Sequence, residues 1–304
     1  MNEYEKNYKF GWVRDFPDFR DYTIENDSIS PKLEKLDVQS SISTMVGNLK
    51  IKETGELTLP SSVDLREWCS KIENQEDIGS CTAHAAVGLV EYFERRAFGK
   101  HIDASRLFLY KVTRNLLGFK RDTGAYLRST MAALALFGVP PEKYYPYITE
   151  NFDDEPTAFC YSFANNYKSI QYFKLDVPNT DGDLLLKRIK SFIAAGIPSM
   201  FGFSVYDSIE QSRNDGKIPF PSNVEKIIGG HAIVAVGYDD SMTIENIYSK
   251  EKTVGALLIR NSWGEDWGDK GYGWIPYEYI LKSIAVDWWI ILKNNWMDTG
   301  NFGL

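Results

Sequence analysis

Three residues far apart in the chain have types and surroundings that could do nucleophilic chemistry. Cys81 stands in Gln75-Glu76-Asp77-Ile78-Gly79-Ser80-Cys81-Thr82-Ala83-His84-Ala85, where a polar, glycine-containing turn gives way to an apolar-periodic helix. A thiol at a helix N-terminus faces unpaired backbone N–H groups and the positive end of the helix dipole. Both favour the thiolate, which is the nucleophilic form. His231 opens an apolar run in Gly229-Gly230-His231-Ala232-Ile233-Val234, and Asn261 sits in Arg260-Asn261-Ser262-Trp263-Gly264. Such a trio can supply a nucleophile, a base and a group that orients the base. Alone, each has a plainer reading: a small buried hydrophobe, a core histidine and a turn asparagine.

Four pieces resemble the papain and cathepsin family of cysteine peptidases over roughly residues 60–292: Gln75 six residues before Cys81, the Gly79-Ser80-Cys81 turn, His231-Ala232, and Asn261-Ser262-Trp263-Gly264-Glu265-Asp266-Trp267-Gly268 followed by Gly271-Tyr272-Gly273. The resemblance implies an α+β, papain-like two-lobe fold. A helical lobe at about 67–163 would carry Cys81 on its central helix. A β-barrel-like lobe at about 164–292 would carry His231 and Asn261, with the cleft between the lobes. It also implies peptide hydrolysis through a thioester. His231 would take the Cys81 proton, giving a thiolate–imidazolium pair, and later protonate the leaving amine. Asn261 would orient His231, and Trp263 would shield that hydrogen bond. The Gln75 side-chain amide, with the Cys81 backbone N–H, would hold the oxyanion. Gly124 and Ala125 fall at the family's cleft edge, where an extended substrate pairs as a strand. Phe201, Gly202 and Gly229 would line the apolar pocket for the side chain two residues before the scissile bond. Gly229 and Gly230 also allow close backbone approach.

The pattern departs from the family in places. Thr82 follows the nucleophile where the family usually has Trp or Tyr. Ile78 stands where a disulfide-bonded Cys is common, and Cys160 resembles a disulfide position without an obvious partner. Cys81 and His231 are 150 residues apart, and Asn261 is 180 past Cys81, farther than expected. The excess fits an insertion, a longer hairpin through residues 239–252. No Cys- and His-rich occluding loop like that of the cathepsin B type is seen, which favours endopeptidase action.

The rest of the chain bounds the alternatives. It has 304 residues, 43% hydrophobic and 14% aromatic, enough for a substantial core. Its net charge of −8 and lack of a Lys/Arg stripe argue against nucleic acid. No apolar run is long enough to span a bilayer, and no signal-peptide pattern opens the chain. Three cysteines, of which Cys69 and Cys160 remain once Cys81 is assigned to chemistry, favour a reducing compartment; a lysosome-like, host-delivered or particle-packaged location stays open. No metal-ligand spacing or cofactor motif occurs. His84, one turn past Cys81, reads as a packed side chain.

Helical spacing is expected from Cys81 to Gly99, over 125–137 and from Asp183 to Gly196, and strands over 199–205, 231–238, 254–259, 272–276 and 285–292. Residues 1–59 are polar, carry Gly11-Trp12-Val13-Arg14-Asp15-Phe16-Pro17 and Ser40-Ser41-Ile42-Ser43, and read as an extension before Leu59-Pro60. Residues 293–304 read as a tail. The extension either blocks the cleft as an inhibitory propeptide or packs on the outer surface. Two competing functions share the residues: an acyltransferase or amidase, and a catalytically silent binding module. Peptide or protein is the expected partner.

Overall fold

The computed structural model describes residues 9–23, 46–47, 59–167 and 171–303. The Ser40-Ser43 stretch lies outside them. The strands are β1 (Trp12–Val13), β2 (Ser62–Asp64), β3 (Ala125–Tyr126), β4 (Gln171–Lys174), β5 (Ser199–Tyr206), β6 (Ile227–Glu245), β7 (Lys252–Arg260), β8 (Tyr272–Pro276) and β9 (Ala285–Leu292). The longer helices are α1 (Cys81–Phe98), α2 (Arg106–Leu117), α3 (Leu127–Phe137), α4 (Ala158–Ala164) and α5 (Gly182–Ala194).

Helices α1 to α4 make one lobe. α1 is the central one, buried on nearly every face, with only Glu94, Arg95, Arg96 and Phe98 reaching toward solvent. A helix of that kind must be enclosed rather than laid on a surface. Gly99, at φ 72°, ends it in the left-handed conformation that helix C-termini favour. α2 is capped by Ser105, whose hydroxyl accepts from the Phe108 N–H.

The second lobe is an antiparallel sheet in the order β4-β9-β5-β6-β7-β8, with β2 added to β6. The expected barrel-like lobe is thus an open sheet, with β4 and β8 at its ends. α1 packs directly on β6, so the helical nucleophile and the strand histidine meet at the lobe boundary. The long separation between His231 and Asn261 is a β6–β7 hairpin that pairs out to Glu245 and Lys252. The register shifts between Ala235 and Gly237 and again between Asp239 and Thr243; such bulges twist a long strand pair. Cys69, Cys81 and Cys160 are all free and buried. No described helix is long and apolar enough to cross a membrane.

Candidate active site

Cys81 is the first residue of α1 and has no solvent exposure. The backbone amide of Ala232, next to His231, favours the thiolate form of its sulfur. His231 is equally buried. Its Nε2 lies 2.8 Å from Asn261 Oδ1, and the Ser262 N–H donates to that same oxygen, also at 2.8 Å. A backbone N–H can only donate, so Oδ1 is the acceptor and Nε2 of His231 carries the proton. Nδ1 is therefore the basic nitrogen, and it is buried with no hydrogen-bond partner among the described residues. Trp263 stacks on the imidazole, with ring centroids 4.6 Å apart at 21°.

Gln75 is held by the turn that carries Asn261. Its N–H bonds the Ser262 carbonyl at 2.8 Å, and its Oε1 accepts from the Ser262 hydroxyl at 2.6 Å. That acceptor role fixes the amide orientation and aims Nε2 at the carbonyls of Lys9, 2.8 Å away, and Ile78.

Lys9 belongs to an N-terminal segment that occupies the space in front of these residues. β1 runs parallel to β3, pairing Trp12 with Ala125 and Val13 with Tyr126, and the Ala125 N–H donates to the Gly11 carbonyl at 2.8 Å. The Gly11 backbone N–H is one of the groups that favour the Cys81 thiolate. Gly11 lies against the nucleophile turn so closely that a Cβ there would meet the Gly79 carbonyl oxygen at 2.0 Å. A Cβ on Gly124 would meet the Gly11 oxygen at 2.1 Å. Trp12 is buried against Gly202 and Gly230, and Phe10 packs on Gly229 with its ring edge toward His231 and Trp263. Of the proposed pocket residues, Phe201 lies elsewhere: it alternates to the other face from Gly202 and stacks on Trp288 in the core.

A family model described as papain family cysteine protease matches residues 59–286. Over 289 residues the chain is 32% identical to an uncharacterized peptidase C1-like protein of Acanthamoeba polyphaga mimivirus, across 93% of this chain and 86% of that protein. It is 27% identical to the thiol protease aleurain of Arabidopsis thaliana, across 77% of this chain and 60% of that protein. Xylellain, a cysteine protease from Xylella fastidiosa, superposes with a TM-score of 0.69 at 30% identity, covering 93% of this chain and 96% of that one. The chain belongs to the papain family of cysteine proteases.

Within that family's chemistry, the covered cleft has a definite electrostatic consequence. Burial pushes the Cys81 thiol up to about 11, only partly offset by the amides of Ala232, Gly11 and Thr82. Burial pushes His231 down to about 4, partly offset by Asn261. The expected thiolate–imidazolium pair is therefore disfavoured while the segment is in place, because both charges would sit without water. Thr82, at the departure from the family pattern, lies 3.1 Å from the Thr130 hydroxyl, whose proton goes to the Tyr126 carbonyl, so Thr82 donates. Four residues were given no individual role from the sequence. Ser262 orients Gln75, Phe10 and Trp12 fill the cleft, and Tyr147 touches both Gln75 and Ser80. A glycine between aromatics in the extension, matched to glycines 202, 229 and 230, was the available signal for Phe10 and Trp12. Among the described residues no cluster of three metal-ligating side chains occurs.

Proposed function

We propose that this chain is a latent cysteine endopeptidase whose own residues 9–15 close its cleft. Cys81 is the nucleophile. His231 Nδ1 takes its proton and later gives it to the leaving amine, and Asn261 holds the imidazole in the tautomer that leaves Nδ1 free. Gln75 Nε2 and the Cys81 N–H receive the oxyanion. Water then hydrolyses the thioester. Gly124 and Ala125 form the edge on which an extended substrate pairs, and glycines 202, 229 and 230 leave room for its apolar side chains.

The observation that carries the latency is the placement of Gly11. Its backbone lies against Gly79 in the nucleophile turn, and its carbonyl accepts from the Ala125 N–H. The segment thus fills the approach to the nucleophile with main chain that is already committed to Ala125. The oxyanion donor Gln75 is likewise engaged by the Lys9 carbonyl.

The test compares wild type, Gly11→Val and Cys81→Ala, all full length, on a fluorogenic dipeptidyl amide at pH 5 to 8 under reducing conditions. A Cβ at position 11 cannot coexist with the Gly79 carbonyl, so Gly11→Val should undock the segment and raise Cys81-dependent hydrolysis at least a hundred-fold. Equal rates in wild type and Gly11→Val would remove the latency. No Cys81-dependent hydrolysis in Gly11→Val, with no covalent capture of a thiol-directed epoxide, would leave the binding module. Added amines diverting the product would favour the acyltransferase.

A further inference from the structure

Behind the nucleophile turn lies a chain of hydrogen bonds that the mechanism above does not use. The Tyr147 hydroxyl donates to the Gln75 carbonyl at 2.8 Å and lies 2.7 Å from Ser80 Oγ. Ser80 Oγ lies 3.3 Å from His84 Nδ1, which is also 3.1 Å from the Ser80 carbonyl. A carbonyl cannot donate, so the single Tyr147 proton goes to Gln75. Ser80 must then give its own proton to Tyr147. With both hydroxyl protons committed, His84 must donate through Nδ1. The protons run one way, from His84 to Ser80 to Tyr147 to Gln75. His84 Nε2, buried and without a partner, is left unprotonated, and burial holds His84 well below its ordinary range, so the ring stays neutral.

We propose that Tyr147 is a positioning residue for the oxyanion site. This inference rests on the peptidase reading above. One hydroxyl grips the main chain of Gln75 and the side chain of Ser80, the residue before Cys81. These are the two ends of the loop that separates the oxyanion donor from the nucleophile. Tyr147 comes from outside that loop. Its ring is fixed by the edge of His84, with centroids 5.0 Å apart, and by the Arg106 guanidinium 5.3 Å from its centre. Arg106 is itself paired with Glu73 and Glu142. Oxyanion stabilisation depends on donors held in place before charge develops, so loosening this grip weakens the transition state more than substrate binding.

Tyr147→Phe removes the hydroxyl and keeps the ring. The measurement is made in the Gly11→Val chain, where the cleft is open, and pairs amide hydrolysis with iodoacetamide alkylation of Cys81, which forms no oxyanion. We expect kcat to fall about ten-fold with KM within two-fold, and alkylation to stay within two-fold. Adding Tyr147→Phe to Gln75→Ala should cost no more than two-fold further, because the tyrosine acts through the glutamine. Unchanged hydrolysis in Tyr147→Phe would overturn the inference. So would a parallel loss of alkylation, which marks a general collapse of the turn, or a full ten-fold loss on top of Gln75→Ala. If the Gly11→Val chain hydrolyses nothing while its Cys81 still alkylates, the peptidase reading fails first and takes this inference with it.

Discussion

The N-terminal segment is held at its two ends by different physics. Residues 9–13 form a plug of apolar rings and bare backbone: Phe10 on Gly229, Gly11 on Gly79, Trp12 on Gly202 and Gly230. Residues 15–21 form a charged clasp. Arg128 donates to Asp15 through its side chain at 3.2 Å and its backbone N–H at 3.1 Å, to Asp21 at 2.6 and 2.7 Å, and to the Phe16 carbonyl at 2.8 Å. Asp15 donates its own N–H to Asp287, which pairs with Lys174. Between the anchored residues, Phe16 and Phe19 stand 83% and 88% exposed. The plug depends chiefly on shape, with a half-exposed Lys9–Asp122 ion pair at its edge, whereas the clasp is held by charge and answers more strongly to salt and pH.

If that division is right, the largest effect after Gly11→Val comes from Trp12→Ala. The indole is buried against Gly202 and Gly230, and Trp12 supplies the atoms nearest to both. Removing a well-buried Trp side chain costs about 3 kcal/mol or more, which is a hundred-fold in docking. The Cys81 alkylation rate of the full chain should rise by that factor toward the Gly11→Val ceiling, equally at low and high salt. A salt-dependent or negligible rise would mean the charged end holds the segment alone.

The same contrast explains what could be read from the sequence. That His231, Asn261 and Gln75 would come together beside Cys81 could be expected, because each lies inside a short motif. α1 and α3 were legible because their apolar stripes are clean. α2 was not, because Arg106, Lys111 and Arg114 are buried and satisfied by acids from distant loops, such as Glu142 and Asp153, so its apolar periodicity is broken by charge. The plug was only half legible. That the extension might enter the cleft could be posed, but the fit of Trp12 to glycines some 190 to 220 positions away depends on tertiary docking that no local pattern encodes.

The clasp should be the weaker end. Arg128→Met keeps the aliphatic stem and removes the fork that ties Asp15, Asp21 and the Phe16 carbonyl. Losing hydrogen bonds to charged partners costs roughly 2 kcal/mol, near thirty-fold, because a buried Asp15 can partly relieve its own charge by taking a proton. Alkylation should rise by about that factor at low salt and by less at high salt, where the wild-type clasp is itself screened. A rise equal to that of Trp12→Ala at both salt levels would erase the distinction between the two ends.

The smallest effect concerns pH, and its sign is the informative part. Burial, then the nearby Asp287 charge, raises the Asp15 carboxyl from its ordinary value to about 6 in the docked segment, against the pull of Arg128 and Lys174. Asp176, which accepts from the Asp287 and Trp288 amides beside it, is also raised to about 7 by burial. Once released into water, Asp15 returns to about 3.9. The docked state therefore binds a proton that the free segment does not, between about pH 4 and pH 6. Docking is strongest below that window and is lost progressively as pH rises through 6. Expressed as the ratio of Gly11→Val to wild-type alkylation, which cancels the intrinsic titration of Cys81, latency should weaken about ten-fold from pH 5 to pH 7. Asp15→Asn, which keeps an oxygen for the Arg128 N–H and cannot titrate, should make that ratio flat. A ratio that grows with pH would show acid opening the cleft instead, and would take control away from Asp15.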